Sequence, residues 1–176
     1  MAPRMSAVAA LRARTAARHD EVDAAYAAFR LDRADDYRDF LLAHARALPS
    51  AEAVLATAPA LPRWRPRTPL LTRDLAELNA AMPPPLAFAA ASAAAAWGVL
   101  YVVEGSRLGG AMLAGQVAPG LPCRYLQATF QPGEWRALRM AIDAAAATAG
   151  ASWLGEAIVG AEACFDLYRS AVHAAR

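Results

Sequence analysis

Two stretches of this chain carry residue types spaced for chemistry. The first is His19 with Asp23 four residues later. On a helix that spacing puts both side chains on one face, where the carboxylate can accept the proton of one ring nitrogen and leave the other free as a metal donor. The second is Glu104-Gly105-Ser106-Arg107-Leu108-Gly109-Gly110, set between the helix-compatible runs Ala93 to Val103 and Ala111 to Val117. Each glycine inside a helix costs about 1 kcal/mol relative to alanine. Gly98, Gly105, Gly109, Gly110 and Gly115 together cost roughly 4 to 5 kcal/mol on that scale. Either a second helix packs tightly on a small-residue face, or a flat ligand lies across bare backbone. His19 has a plain alternative as well, that of a core histidine satisfied by a neighbour.

The elements that must position these residues are all helical. Ser6 is a natural N-cap for a first helix running to about Arg30, whose apolar stripe reads Val8, Leu11, Thr15, His19, Val22, Tyr26 and Phe29. That stripe predicts a buried His19. A second helix starts near Asp35, carries Tyr37, Phe40, Leu41, His44 and Leu48, and is expected to kink or break at Pro49 before Val54 and Leu55. Pro59 to Pro69, with three arginines and Trp64, reads as an ordered loop; Leu70 to Ala80 is a short amphipathic helix, and Pro83-Pro84-Pro85 a turn. After the glycine-bearing helix, Pro119 to Pro132 is a connection. Pro132 and Glu134 open a helix with Trp135, Leu138 and Ile142, and Gly150 and Ser152 separate it from a last helix, Trp153 to about Ala174. No strand alternation, internal repeat or phosphate-binding glycine loop is visible.

Composition excludes several function classes. At 176 residues a single domain is expected. Alanine supplies about fifty of them, so the 57% apolar content overstates the hydrophobicity. All 18 basic residues are arginine, the net charge is only +2, and the arginines are dispersed, which leaves no nucleic-acid footprint. Cys123 and Cys164 have neither metal spacing nor a disulfide framework, as expected of a reducing cytoplasm. Arg4, Arg12, Arg14 and Arg18 interrupt the N-terminus, so no secretory signal is expected there. Leu86 to Val103 is uncharged over the minimum length of a membrane span, but half of it is alanine and Glu104 and Arg107 follow; it reads as a core helix, with no membrane association. No Glu-x-x-His pair occurs, which disfavours a di-iron bundle.

Leu11-Arg12-Ala13-Arg14-Thr15, His19-Asp20-Glu21-Val22-Asp23 and, far downstream, Tyr101-Val102-Val103-Glu104-Gly105-Ser106-Arg107-Leu108-Gly109-Gly110-Ala111 together resemble the heme oxygenases. The resemblance is nearest to the bacterial branch that accompanies bacteriophytochromes, and it extends over nearly the whole chain to Phe165 and Tyr168. It implies one all-α domain, residues 1–176, with heme held between the first helix and a kinked, glycine-rich distal helix. It implies His19 as the proximal iron ligand, supported by Asp23. Gly105, Gly109 and Gly110 would lie against the other face of the porphyrin, Arg12 would meet a propionate, and Tyr168 would wall the pocket or fill core, with Phe165 beside it. Heme, as substrate and cofactor, would be opened with O2 and electrons from a ferredoxin or an NAD(P)H reductase to biliverdin, CO and ferrous iron. A cytoplasmic monomer passing biliverdin to a bacteriophytochrome is the corresponding expectation.

One position departs from the animal members, which carry an aspartate directly after the first distal glycine. This chain has Ser106, so the water network that delivers protons must be anchored by another group, with Arg107 or backbone carbonyls the candidates. Arg107 reads equally as a solvated helix charge. Two further function classes stay open at this stage: a heme- or bilin-binding sensor or carrier that has lost turnover, and a helical interaction module in which the glycines only pack.

Overall fold

The computed structural model describes residues 5–174; Arg4 lies outside them. The described residues form seven helices and no strand: α1 (Ala7–Tyr26), α2 (Ala34–Thr57), α3 (Thr68–Glu77), α4 (Ala93–Ala114), α5 (Arg124–Gln127), α6 (Glu134–Thr148) and α7 (Trp153–His173). Ser6 caps α1 by accepting the Ala9 N–H, and Ser92 caps α4 by accepting that of Ala95. Gly133 opens α6 at φ 85°, a left-handed conformation that glycine adopts without penalty.

Three boundaries differ from the periodicity. α1 stops at Tyr26 instead of Arg30, because the Phe29 N–H turns back to the Tyr26 carbonyl and Phe29 and Leu31 fold in toward Phe40. Pro49 does not break α2, which runs on to Thr57. The loop after α3 supports the turn around it: the Arg46 carbonyl accepts from Leu86 N–H at 2.8 Å, and Ser50 Oγ donates to the Leu86 carbonyl. The expected connection between Pro119 and Pro132 contains the short α5.

α7 is the spine. α1, α2 and α4 all pack along it, and Ala157, Ala161, Cys164 and Ala171 are wholly buried there. The closest approach is between α4 and α7. A Cβ on Gly98 would sit 1.8 Å from the Ala157 carbonyl oxygen, and one on Gly160 would sit 2.0 Å from that of Ala95. Backbone meets backbone at this crossing, so tight helix packing is the reason for Gly98. α4 itself runs unbroken through the glycine segment, so any kink does not interrupt it.

Cys123 and Cys164 are free, and among the described residues no helix is long and apolar enough to cross a membrane.

Candidate functional site

α1 and α4 each pack on α7 but make no substantial contact with one another. α1 is fixed along its other contacts. The Val8 N–H donates to Asp143 on α6, Arg18 pairs with Glu162 and Asp166 on α7, Glu21 pairs with Arg169, and the Tyr26 hydroxyl donates to the Tyr168 carbonyl. α1 and α4 are therefore held apart on a common support, α7.

His19 faces out of the α1–α7 seam. Its side chain is 57% exposed, which corrects the expectation of a buried ring. The seam passes instead through Thr15, Arg18 and Val22, with Arg18 taking the α7 carboxylates. Nδ1 of His19 lies 3.3 Å from Asp23 Oδ2, and the ring meets Phe165 edge-on at 5.6 Å. The Asp23 carboxylate beside Nδ1 leaves Nε2 as the ring nitrogen open to a metal.

On α4, Gly98, Gly105 and Gly109 are seven and four residues apart and so share one stripe of the helix. Gly98 is clamped under α7. At Gly109 a Cβ would meet nothing within 4 Å, and at Gly105 only the Trp135 ring, 3.6 Å away. Leu108 and Met112 beside them are 47% and 78% exposed, large apolar side chains held out from the core next to bare backbone. Gly110 turns away from this stripe onto the Leu126 carbonyl, 3.2 Å from where its Cβ would be, and is buried against α5. Its placement is explained by that contact.

Behind α4 lies a buried polar layer. Arg107 is 2% exposed, so the solvated-charge alternative is overturned. Its Nε lies 3.0 Å from each Glu104 carboxylate oxygen, and its two terminal nitrogens donate to the Ala128 and Arg65 carbonyls. All three guanidinium nitrogens have partners inside the protein, which makes it a strut between α4, α5 and the loop before α3. Ser106 is held by Arg67, whose Nη2 donates to Ser106 Oγ and to the Val103 carbonyl, each at 2.7 Å. Ser106 in turn donates to Val103, and the Arg67 guanidinium stacks 5.1 Å above the Tyr125 ring. Sequence reasoning passed over Arg67, one of three arginines in a proline-rich loop, because nothing local signals its burial.

Further in, Tyr125 Oη bonds His44 Nδ1 at 2.8 Å, and Tyr26, Phe40 and Tyr168 enclose the same imidazole. Burial, aided by the Arg67 cation, pushes the His44 pKa down to about 3, so this ring stays neutral. Tyr168 belongs to this core, with its hydroxyl buried and unpartnered. Burial raises the Tyr101 pKa, and the Arg12 and Arg139 cations oppose that shift. Arg12 was singled out from its position before His19. Arg139, with Arg136, is a weaker candidate for the same role from sequence, and only its influence on Tyr101 emerges from the fold.

Among the described residues no three metal-ligating side chains cluster. The exposed imidazole on α1, the open backbone at Gly109 on α4 and the exposed apolar side chains beside it are the features that a ligand could reach.

No family profile matches the chain. A heme oxygenase from Xanthomonas campestris pv. campestris is 37% identical over 122 residues, spanning 64% of this chain and 70% of that protein. The backbone is similar to the crystal structure of the NO- and CO-bound heme oxygenase from Neisseria meningitidis, with a TM-score of 0.82 over 97% of this chain and 92% of that one, at 24% identity. The fold agrees with the second, and the sequence ties the chain to the first: it belongs to the heme oxygenase family.

Proposed function

We propose that this heme oxygenase opens its substrate in the gap between α1 and α4, with residues 1–176 working as one domain. The observation that carries the assignment is the exposed His19–Asp23 pair on α1, with open backbone at Gly109 on α4. His19 Nε2 is the proximal donor, and Asp23 holds its tautomer and raises its basicity. Gly105 and Gly109 admit the opposite face, while Leu108 and Met112 supply apolar contact. Arg12 and Arg139, with Tyr101 between them, receive the propionates as charge-assisted partners. Heme itself supplies the iron, and with it the oxygen chemistry that opens the ring to biliverdin, CO and ferrous iron.

Proton supply follows from the Ser106 contacts. Ser106 Oγ gives its own proton to Val103 and accepts one from Arg67, so a lone pair is its remaining capacity. It holds a water as an acceptor, and the fixed charge nearby is the Arg67 cation in place of a carboxylate. Arg107 is already committed to Glu104 and to the Ala128 and Arg65 carbonyls, so Ser106 is the assigned partner of the water.

Electrons come from a ferredoxin or an NAD(P)H reductase, the setting is a cytoplasmic monomer, and biliverdin passes to a bacteriophytochrome. These assignments rest on the resemblance of the His19 and Gly105 motifs.

A single aerobic turnover of the hemin-loaded protein with an electron donor tests the activity. Chromatography should identify biliverdin, with one CO released per heme. A hemin complex that persists under these conditions would instead identify a carrier. Two variants probe the walls. Gly109→Leu fills open space and removes a helix-interior glycine, so melting should be unchanged or raised by a few degrees while hemin binding, read by the Soret band, is lost or the product isomer changes; unaltered binding and product would remove Gly109 from the site. Arg12→Ala should weaken hemin binding only about two- to five-fold at low salt, as expected of an exposed ion pair, and less at high salt. No change in a titration at low ionic strength would exclude a propionate contact.

A further inference from the structure

We infer that Trp135 fixes the rotational setting of the macrocycle in the α1–α4 gap, and thereby which meso carbon is attacked. The inference rests on the heme assignment above. A single axial imidazole sets the iron's position but leaves the ring free to turn about the iron–nitrogen axis, so contacts at the rim must choose the orientation. Along the glycine stripe of α4, Gly109 faces open space and Gly105 faces only Trp135, whose Cη2 stands 3.6 Å from where a Cβ on Gly105 would lie. Bare backbone is thus open at one residue and bounded by an indole one turn earlier.

That indole is braced. It lies 5.5 Å from Phe130 and 6.3 Å from Tyr101, ring centre to ring centre, and both are tilted by about thirty degrees to it. Phe130 in turn lies 5.9 Å from the buried Arg107 guanidinium. α6 also places Arg139 four residues after Trp135, on the same helix face. One face of α6 therefore presents a rigid obstacle and, a turn later, a cation close to Tyr101. An obstacle at one rim and cations for carboxylates at another suffice to select one orientation of a nearly four-fold symmetric disc. Trp135 is a positioning residue: it acts on where the substrate lies and supplies no reacting group.

The test compares wild type, Trp135→Ala and Trp135→Phe, each loaded with hemin and converted to the ferric cyanide complex. Proton NMR of the hyperfine-shifted heme methyls reports the in-plane orientation directly. Chromatography of the bilin after one turnover reports the carbon opened. Wild type should show one dominant methyl pattern and one dominant isomer. Trp135→Ala should show a second pattern and at least about a tenth of the product as a second isomer, and Trp135→Phe, which keeps an aromatic wall, should lie nearer wild type. An unchanged pattern and isomer in both variants, with melting temperatures showing them folded, overturns the inference and leaves the heme assignment standing. Failure of wild type itself to bind hemin overturns the assignment and the inference with it.

Discussion

Replacing His19 by alanine should leave a folded protein that no longer ligates heme iron through histidine. The side chain is more than half exposed, and its contacts are Asp23 and the edge of Phe165. Stability should therefore stay within about 0.5 kcal/mol of wild type, as for surface substitutions generally. Losing the hydrogen-bond partner of a ligand typically costs 10- to 100-fold in metal affinity, so losing the ligand itself should cost at least about 100-fold in hemin affinity and reduce turnover to background. Added imidazole, filling the space of the lost ring, should restore the ligated spectrum. Hemin titrations of His19→Ala with and without imidazole check this. A variant that binds and turns over like wild type would remove His19 from the centre.

The second large effect is on stability and lies away from the gap. Gly98→Ala adds one methyl carbon where the Ala157 carbonyl oxygen, the Ala161 nitrogen and the Ala157 carbonyl carbon stand at 1.8, 2.6 and 2.9 Å. None of these atoms can rotate aside, because all are backbone of α7. Overpacking a core typically costs 1–3 kcal/mol, and a backbone obstruction belongs at or beyond the upper end, about 3 kcal/mol. Alanine's better helix propensity returns about 1 kcal/mol of the gross penalty and does not change its sign. The net is about 2 kcal/mol, and for a chain of this size each kcal/mol moves the melting temperature by roughly 2–4 °C, so a fall of roughly 4–8 °C is expected by calorimetry. An unchanged or raised melting temperature would mean that α4 and α7 do not cross at Gly98.

These two glycine positions, Gly98 and Gly109, show how much of the molecule was legible beforehand. Residue spacing revealed that the glycines of α4 were expensive, and it offered helix packing or a ligand as the reason. Packing is the reason at Gly98, and the open space at Gly109 supports the ligand as the proposed reason there. Gly98 packs, Gly109 opens, and Gly110 serves a third contact with α5. Which glycine does which depends on how α4 and α7 cross, and a linear pattern does not contain that angle. The helices themselves were readable because apolar spacing and the Ser6 hydroxyl are local signals. Pro49 misled because its effect on α2 is offset by the segment around Leu86, thirty-odd residues away in sequence.

Charged residues were the least legible. Arg18 and His19 are adjacent on the edge of the α1 stripe, and only the carboxylates of Glu162 and Asp166 decide that Arg18 turns inward and His19 outward. That choice matters for function, since it is what leaves His19 accessible. Arg107 and Arg67 look alike in sequence to any surface arginine, yet both are buried, one as a strut on Glu104 and the other as the partner of Ser106. Their burial depends on carbonyl groups supplied by distant loops, and no spacing rule anticipates those.

The central claim is that one particular imidazole of three meets the iron. The chain has only His19, His44 and His173, so labelling histidine with nitrogen-15 and recording the hemin complex resolves each ring. The account predicts strong hyperfine shifts and broadening of the His19 ring nitrogens, with His44, locked onto Tyr125, and His173 at the end of α7 showing no comparable ligation. Ligand-type shifts on His44 or His173, or on none of the three, would contradict it.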